Sequence, residues 1–203
     1  RCAHPRYGFT RTYITRTWRM KLLIITLTIL QSLFSTLEQK TLQSDFSITI
    51  TQEQTQPMTY AGTLAMRDEK FALEFIGIEA AYDGQTLYMY SEDTEELTLS
   101  TPTEEELIQT NPFLYARALL PLCEYAEKAV GDKTQITLTP RDQSLGINKF
   151  VLRLVTTTLL PVAAEIHESD GKVTTLRLNN PEYKNECPKF SIEKPEAFIN
   201  DLR

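Results

Sequence analysis

Few residues in this chain have the types and spacing that catalysis requires. There are two histidines, His4 and His167. His4 falls in a basic N-terminal stretch, and His167 sits between Ile166 and Glu168 on an expected strand, where a solvated imidazole is the ordinary outcome. The chain contains no H-E-x-x-H, no G-x-S-x-G, no phosphate-binding glycine loop and no EF-hand loop. Glu104-Glu105-Glu106 brings three carboxylates together in sequence, the composition that paired acid–base work or metal binding would use. Consecutive residues of a helix do not share a face, however, and a solvated helix start is the better account. Asp83 and Asp170 each precede a glycine, where aspartate serves turn geometry. The cysteines, Cys2, Cys123 and Cys187, form no C-x-x-C pair. In an exported chain Cys123 and Cys187 could be joined by a disulfide; two free thiols fit the sequence as well, because sequence does not report the Cα separation. These residues point to no enzyme, no cofactor and no metal.

The remaining chemistry is apolar contact, and its elements are strands. From Met58 to Ser100 the chain breaks into segments of about 5 to 8 residues divided by turn signals, the pattern of consecutive antiparallel strands. Met58, Tyr60, Leu64 and Met66 share one face with Gly62 between them. A polar Arg67-Asp68-Glu69-Lys70 turn follows, and then Phe71, Leu73 and Phe75 alternate with Ala72 and Glu74. Asp83-Gly84 reads as a tight primed hairpin turn, leading into a strand over Thr86–Ser91 that includes Tyr88 and Tyr90. Upstream, Thr36 to Gln43 reads as the end of a short helix, and Asp45 opens the sheet with Phe46, Ile48 and Ile50 on one face.

Between Thr101 and Gly131 the period changes. Thr103 with Glu106 three residues on is a helix start, and acidic residues there suit the positive end of the dipole. Asn111-Pro112 starts a second helix, whose apolar stripe includes Phe113, Leu114, Leu119 and Leu122. Pro121 stops or kinks it, and Cys123 to Val130 is expected as a further short helix ended by Gly131. Strands return over Thr134–Thr139, over Asn148–Thr156 with Phe150, Leu152 and Leu154 in register, and over Leu160–His167 and Val173–Leu178 around the hairpin signal Ser169-Asp170-Gly171. The tail from Pro181 to Pro188 reads as loop, with a last strand around Phe190 and Ile192. Strands, helices and strands again give an α+β fold in one domain, with the helices packed on one face of the sheet.

The net charge of -6 argues against nucleic acid as a partner, because neutralising phosphates takes a concentrated basic surface. Residues 1–35 do not belong with the rest: basic residues crowd Arg1 to Arg19, and Met20-Lys21 precedes the apolar run Leu22–Leu30. That is the layout of a secretory signal starting at Met20, preceded by an upstream extension and cleaved near Ser35; an uncleaved anchor is the alternative. The domain would then be residues 36–203.

The glycine-bearing strand, the basic turn, Lys70-Phe71-x-Leu73 and the strand Tyr82-Asp-Gly-Gln-Thr-Leu-Tyr-Met-Tyr90 together resemble the LolA-type periplasmic lipoprotein carriers. In that family the segment reads roughly G-x-L-x-(basic)-x-x-F and then S-D-G-(K/Q)-x-(aromatic)-x-Y. The resemblance runs from Leu37 onward and includes Phe190-Ser-Ile-Glu-Lys-Pro and the terminal Asp201-Leu-Arg203. It implies an incomplete antiparallel β-barrel with a helical lid over a hydrophobic concave face. It also implies that Phe71, Leu73, Phe75, Tyr88, Tyr90, Leu114, Leu119, Phe150 and Leu152 meet the acyl chains. Arg67 would be the lid latch, although its turn is one residue short of the family spacing and lacks the proline after the arginine. The implied partners are acylated lipoproteins, an inner-membrane lipoprotein-releasing complex and an outer-membrane acceptor, met in the periplasm. A lipid-binding or envelope-sensing module of the same fold, or a structural envelope protein, would share these residues.

Overall fold

Strands account for most of the computed structural model, which describes residues 29–203. Most of the expected leader, residues 1–28, lies outside the described residues. Helix α1 (29–39) comes first. It leads into β1 (Thr41–Thr51), β2 (Met58–Arg67), β3 (Lys70–Phe75), β4 (Ile78–Tyr82), β5 (Leu87–Ser91) and β6 (Glu96–Ser100). Helices α2 (Glu104–Thr110) and α3 (Pro112–Leu119) follow. The chain then returns to strands: β7 (Cys123–Val130), β8 (Lys133–Pro140), β9 (Ile147–Val155), β10 (Pro161–Glu168), β11 (Val173–Lys184) and β12 (Phe198–Asp201).

All twelve strands form one open sheet in the order β12-β6-β5-β4-β3-β2-β1-β11-β10-β9-β8-β7. Every pairing is antiparallel except that of β12 with β6. Two meanders therefore meet at β1 and β11, and the sheet does not close. The expected α+β architecture, a large curved sheet short of a barrel with a few short helices, is the one observed.

Period-two alternation decides the inner face. Leu42, Phe46, Met66, Phe71 and Tyr82 from the first meander share a core with Ile136, Leu138, Phe150, Leu152 and Leu154 from the second. Helix α1 adds Leu30, Leu33 and Leu37, spaced at i, i+3 and i+7, all buried. Gly62 is obligatory here. A Cβ on it would lie 2.0 Å from the Glu74 carbonyl oxygen and 2.9 Å from the Phe46 ring, so only glycine lets β3 and Phe46 approach.

Several expectations need correction. Residues 123–130 form strand β7, where a helix was expected. Its alanines, glutamates and lysine favour a helix, but the ladder to β8 pairs every residue from Cys123–Pro140 to Val130–Lys133 and overrides that preference. Gly131, at φ 63°, is the turn residue of that hairpin and no helix cap. The sheet starts at Thr41, four residues before Asp45, because α1 ends at 39. At Asp83-Gly84 the connection is wider than a two-residue primed turn. The Asp83 Oδ1 accepts from the backbone N–H groups of Gln85 and Thr86, both at 2.8 Å. β11 runs on to Lys184, into the first half of the segment expected as loop from Pro181 to Pro188. The last strand is β12, while Phe190 is buried without joining a ladder. Cys123 is a buried free thiol and Cys187 an exposed one, so no disulfide joins them.

After β11, in the interior of the sheet, the chain crosses the outer face as a strap to β6, where β12 becomes the edge strand. Lys194 holds it there, with its ammonium 2.5 Å from Glu79 and 4.5 Å from the centroid of the Tyr90 ring.

Candidate functional site

The two helices between the meanders are positioned by the caps that their sequence carries. The Thr103 hydroxyl accepts from the Glu106 N–H at 3.3 Å, and the Glu106 carboxylate accepts from the Thr103 N–H at 2.7 Å, a reciprocal capping box. Hydrogen bonds from Thr103 hold the Glu106 carboxyl below its ordinary range. Asn111 caps α3, its Oδ1 accepting from the N–H groups of Phe113 at 2.9 Å and Leu114 at 3.3 Å, with Pro112 at the first helical position. From that start α3 turns Phe113, Ala116 and Leu119 into the core.

Two helices fill only part of the concave face. At the end of the sheet where α1 lies, its leucines, Met66, Phe71, Leu119 and Leu152 leave a packed core. Toward the other end, past the start of α3, the face stays open. A cavity of about 610 Å³ lies there, within the size range of about 300–1,000 Å³ typical of small-molecule sites. Its floor is Phe46, Ile48, Leu64, Leu73, Ile166 and Leu176 from the sheet. Pro112 and Tyr115 of α3 close one side, and Leu145, Gly146 and Ile147 close another. Tyr115 is held by its ring against Phe150, 6.0 Å between centroids. Burial pushes the Tyr115 hydroxyl up, and the charges of Glu168 and then Cys123 add to that. Glu168 is the one ionisable acid among the lining residues, and it is paired with Lys172 at 2.8 Å. Such a space can enclose an apolar chain.

The expected contact residues divide four ways. Leu73 lines the cavity, and Phe75 stands beside it against Phe46, 6.4 Å between centroids. Phe71, packed on Tyr82 at 6.1 Å, belongs to the closed core with Leu119, Phe150 and Leu152. Leu114 is half-buried on α3, outside that core. Tyr88 and Tyr90 lie on the other side of the sheet. They are in register with Ala81 and Glu79, and the inward residues of their strand are Leu87 and Met89. The Tyr88 hydroxyl donates to Asp83 at 3.1 Å. The residues missed are Leu64, Leu145, Ile147, Ile166, Leu176 and Tyr115. Phe46 and Ile48 were visible as an alternating pair, and both lie in the cavity floor.

Arg67 does not reach the helices over the cavity. Its Nε donates to the Glu38 carbonyl, in the last turn of α1, and its Nη1 to the Asn185 carbonyl, each at 3.4 Å. The Glu38 carbonyl, at a helix end where acceptors lack intrahelical partners, suits a guanidinium, but the helix is α1 and neither α2 nor α3. The tie to α3 comes from Arg117, 3.3 Å from Glu38, 3.8 Å from Asp68 and 5.5 Å above the Phe34 ring. These are exposed pairs, each contributing about 0–1 kcal/mol, so α3 is held by the burial of Phe113, Ala116 and Leu119 and only oriented by Arg117.

On the outer face a second hollow, about 550 Å³, lies under the strap. It is lined by Asp45, Glu74, Glu79 and Glu182 over a floor that includes Ala65, Ala72 and Ala81, and it is too polar for an acyl chain. His167 is also outside the cavity, 3.1 Å from Glu165, which Arg153 holds at 2.5 Å on its other oxygen. Among the described residues no group of three or more His, Cys, Asp or Glu could hold a metal ion. No helix among them is long and apolar enough to cross a membrane.

No protein-family model and no curated protein sequence matches the chain. Among solved structures it is similar to an uncharacterized conserved protein from Thermus thermophilus. The two are 12% identical, with 86% of this chain and 98% of that one covered and a TM-score of 0.57. The two share a fold. Looser likenesses run to a LolA superfamily protein from Nitrosomonas europaea, with 12% identity, 78% of this chain and 94% of that one covered and a TM-score of 0.39. They run also to the MucA/MucB complex of Pseudomonas aeruginosa, with 16% identity, 80% of this chain and 58% of that one covered and a TM-score of 0.48.

Proposed function

We propose that this protein is a periplasmic lipid- and lipoprotein-binding module of LolA-like fold, which shelters acyl chains in the cavity between the sheet and α3. The observation that carries the reading is the cavity itself. It is a space of about 610 Å³, walled mainly by aliphatic and aromatic side chains, left open at one end of a sheet whose other end is packed solid. Each methylene brought out of water is worth roughly 0.8 kcal/mol, so a chain that passes between membranes has to be enclosed on the way. The cavity supplies the enclosure. The sequence resemblance from Leu37 onward supports the same reading, and extends it to a carrier that takes lipoproteins from an inner-membrane releasing complex to an outer-membrane acceptor.

Two experiments test it in sequence. Organic extraction of the protein purified from the envelope, followed by mass spectrometry, should recover acyl lipid in stoichiometric amount; protein that carries none and takes up none overturns the reading. Release of a radiolabelled lipoprotein from spheroplasts on addition of the protein then separates a carrier from a module that binds without shuttling.

A further inference from the structure

Strand β7 ends the sheet, and its far side pairs with no strand among the described residues. Glu124 and residues 126–130 are exposed there. Which backbone groups face outward follows from the hairpin. Gly131, at φ 63°, and Asp132 make a two-residue turn of the II′ kind between Val130 and Lys133, so those two residues exchange ladder hydrogen bonds. Bonding to β8 then falls on every second residue, Lys128, Ala126 and Glu124, and the bond from the Arg141 N–H to the Leu122 carbonyl at 3.1 Å continues the series. The odd-numbered positions from 123 to 129 therefore turn their backbone groups away from β8, toward whatever lies along the edge.

We propose that β7 pairs antiparallel with β7 of a second copy of this chain, about a twofold axis at Ala126. An axis perpendicular to the sheet keeps every side chain on its own face, so even positions meet even ones and odd meet odd. Centred on Ala126, the register sets Ala126 against its own copy, Glu124 against Lys128 of the second copy, and Leu122 against its Val130, with each unlike pair made twice. Leu122 and Val130 are 48% and 50% exposed, and in this register each covers the other. Even positions form the non-hydrogen-bonded pairs, where opposite side chains come closest, which suits alanine at the axis and an ion pair on either side of it. The odd positions supply about eight ladder hydrogen bonds. Neighbouring registers fail on charge. Centring on Glu127 or on Lys128 puts like charges face to face, and centring on Tyr125 sets Leu122 against Lys128 and leaves Glu124 facing alanine. Charges on an edge strand ordinarily keep a second strand away, but here their order is self-complementary. In such a dimer both concave faces lie on the same side, so the two cavities face one way. The pairing does not depend on what the cavities hold.

Sedimentation velocity of the full chain tests it. One strand pair is a small interface, so dimer should appear progressively between about 1 µM and 1 mM. Glu124→Lys and Lys128→Glu each set like charges against each other at both symmetry-related places, and each should weaken association about 10-fold or more. Both positions are exposed, and circular dichroism checks that the variants stay folded. An equimolar mixture of the two variants remakes both ion pairs between unlike partners and should associate within about threefold of wild type, as should the double exchange Glu124→Lys/Lys128→Glu. A chain that stays monomeric up to about 1 mM overturns the proposal. So does a dimer that either single variant leaves unchanged, or a mixture of the two that associates no better than each alone.

Discussion

Removing the first turns of α1 should take away most of the stability of the fold. Leu30 and Leu33 are 1% and 0% exposed, and both contribute to the same core as Phe71 and Leu119. A fully buried leucine cut to alanine costs about 2–5 kcal/mol, so the pair together accounts for about 4–10 kcal/mol. A domain of this size has about 5–15 kcal/mol in total. A chain of residues 36–203, the product of cleavage near Ser35, loses these two side chains and also Phe34, on which Arg117 stacks. It keeps Leu37 alone of the three core leucines. Urea unfolding followed by circular dichroism, run side by side on residues 29–203 and 36–203 and on the Leu30→Ala/Leu33→Ala double variant, measures the loss. The shorter chain and the double variant should both unfold at much lower urea, or be unfolded without it. If residues 36–203 unfold with the same midpoint and slope as residues 29–203, the part of α1 before residue 36 contributes nothing and the packing argument fails. The same experiment bears on processing, since an exported form with native stability has to retain Leu30.

Arg117→Leu should leave the unfolding midpoint within about 1 kcal/mol of wild type but speed dissociation of the apolar fluorophore N-phenyl-1-naphthylamine several-fold in stopped flow; Arg67→Leu should do neither, and should instead loosen α1 in amide exchange. Ile76, 60% exposed, holds a φ of 49° in the β3–β4 turn, where a branched side chain is strained. Ile76→Asn should therefore raise stability by about 1 kcal/mol in the same urea assay. Burial alone would raise the Glu165 carboxyl, yet hydrogen bonds from Arg153 and His167 hold it below its ordinary value. The folded state thus gains from this group above the ordinary glutamate range of about 4.3 and loses the gain as pH falls through the depressed value. Glu165→Gln should lower the unfolding midpoint near neutrality, where the gain is present, and flatten its fall below pH ~5, so that variant and wild type converge in acid.

Alternation and turn signals in the sequence were enough to find β2, β3 and β5, whereas β4, with two adjacent alanines, was not read as a strand. The caps of α2 and α3 were legible for a related reason: Thr103, Glu106 and Asn111 act within a few residues of themselves. What periodicity cannot show is which of two faces is concave. In β5 aromatic Tyr88 and Tyr90 alternate with Leu87 and Met89, and size alone favoured the tyrosines. Pairing with Ala81 and Glu79 places the tyrosines outside, while Leu87, opposite the core residue Tyr82, shares the inner face with Met89. Nor could it show where a concave face is filled. Leu152 and Leu73 have similar sequence surroundings, yet one meets the second meander's packed core and the other an open space, because α1 reaches only one end of the sheet. At 123–130 local preference pointed to a helix, and a ladder with residues 133–140 decided otherwise. The carbonyls that Arg67 meets, that of Glu38 at the end of α1 and that of Asn185, depend on a packing that the sequence leaves open.

The way the two meanders meet has a consequence for when the molecule can become itself. β2 to β6 pair with near neighbours, and such hairpins form as soon as their strands exist. β1 must also pair with β11, and the Thr41 hydroxyl donates to the carbonyl of Glu186, 145 residues further along. Contacts this distant close late and fold slowly. Until β11 arrives, the inner edge of the first meander is unpaired and its apolar face has no opposing wall. For a chain passed unfolded across a membrane, as the proposed location requires, that delay is useful. The part synthesised first cannot complete the sheet, and the cavity cannot take up lipid, until the segment that ends with Lys184 has followed it through.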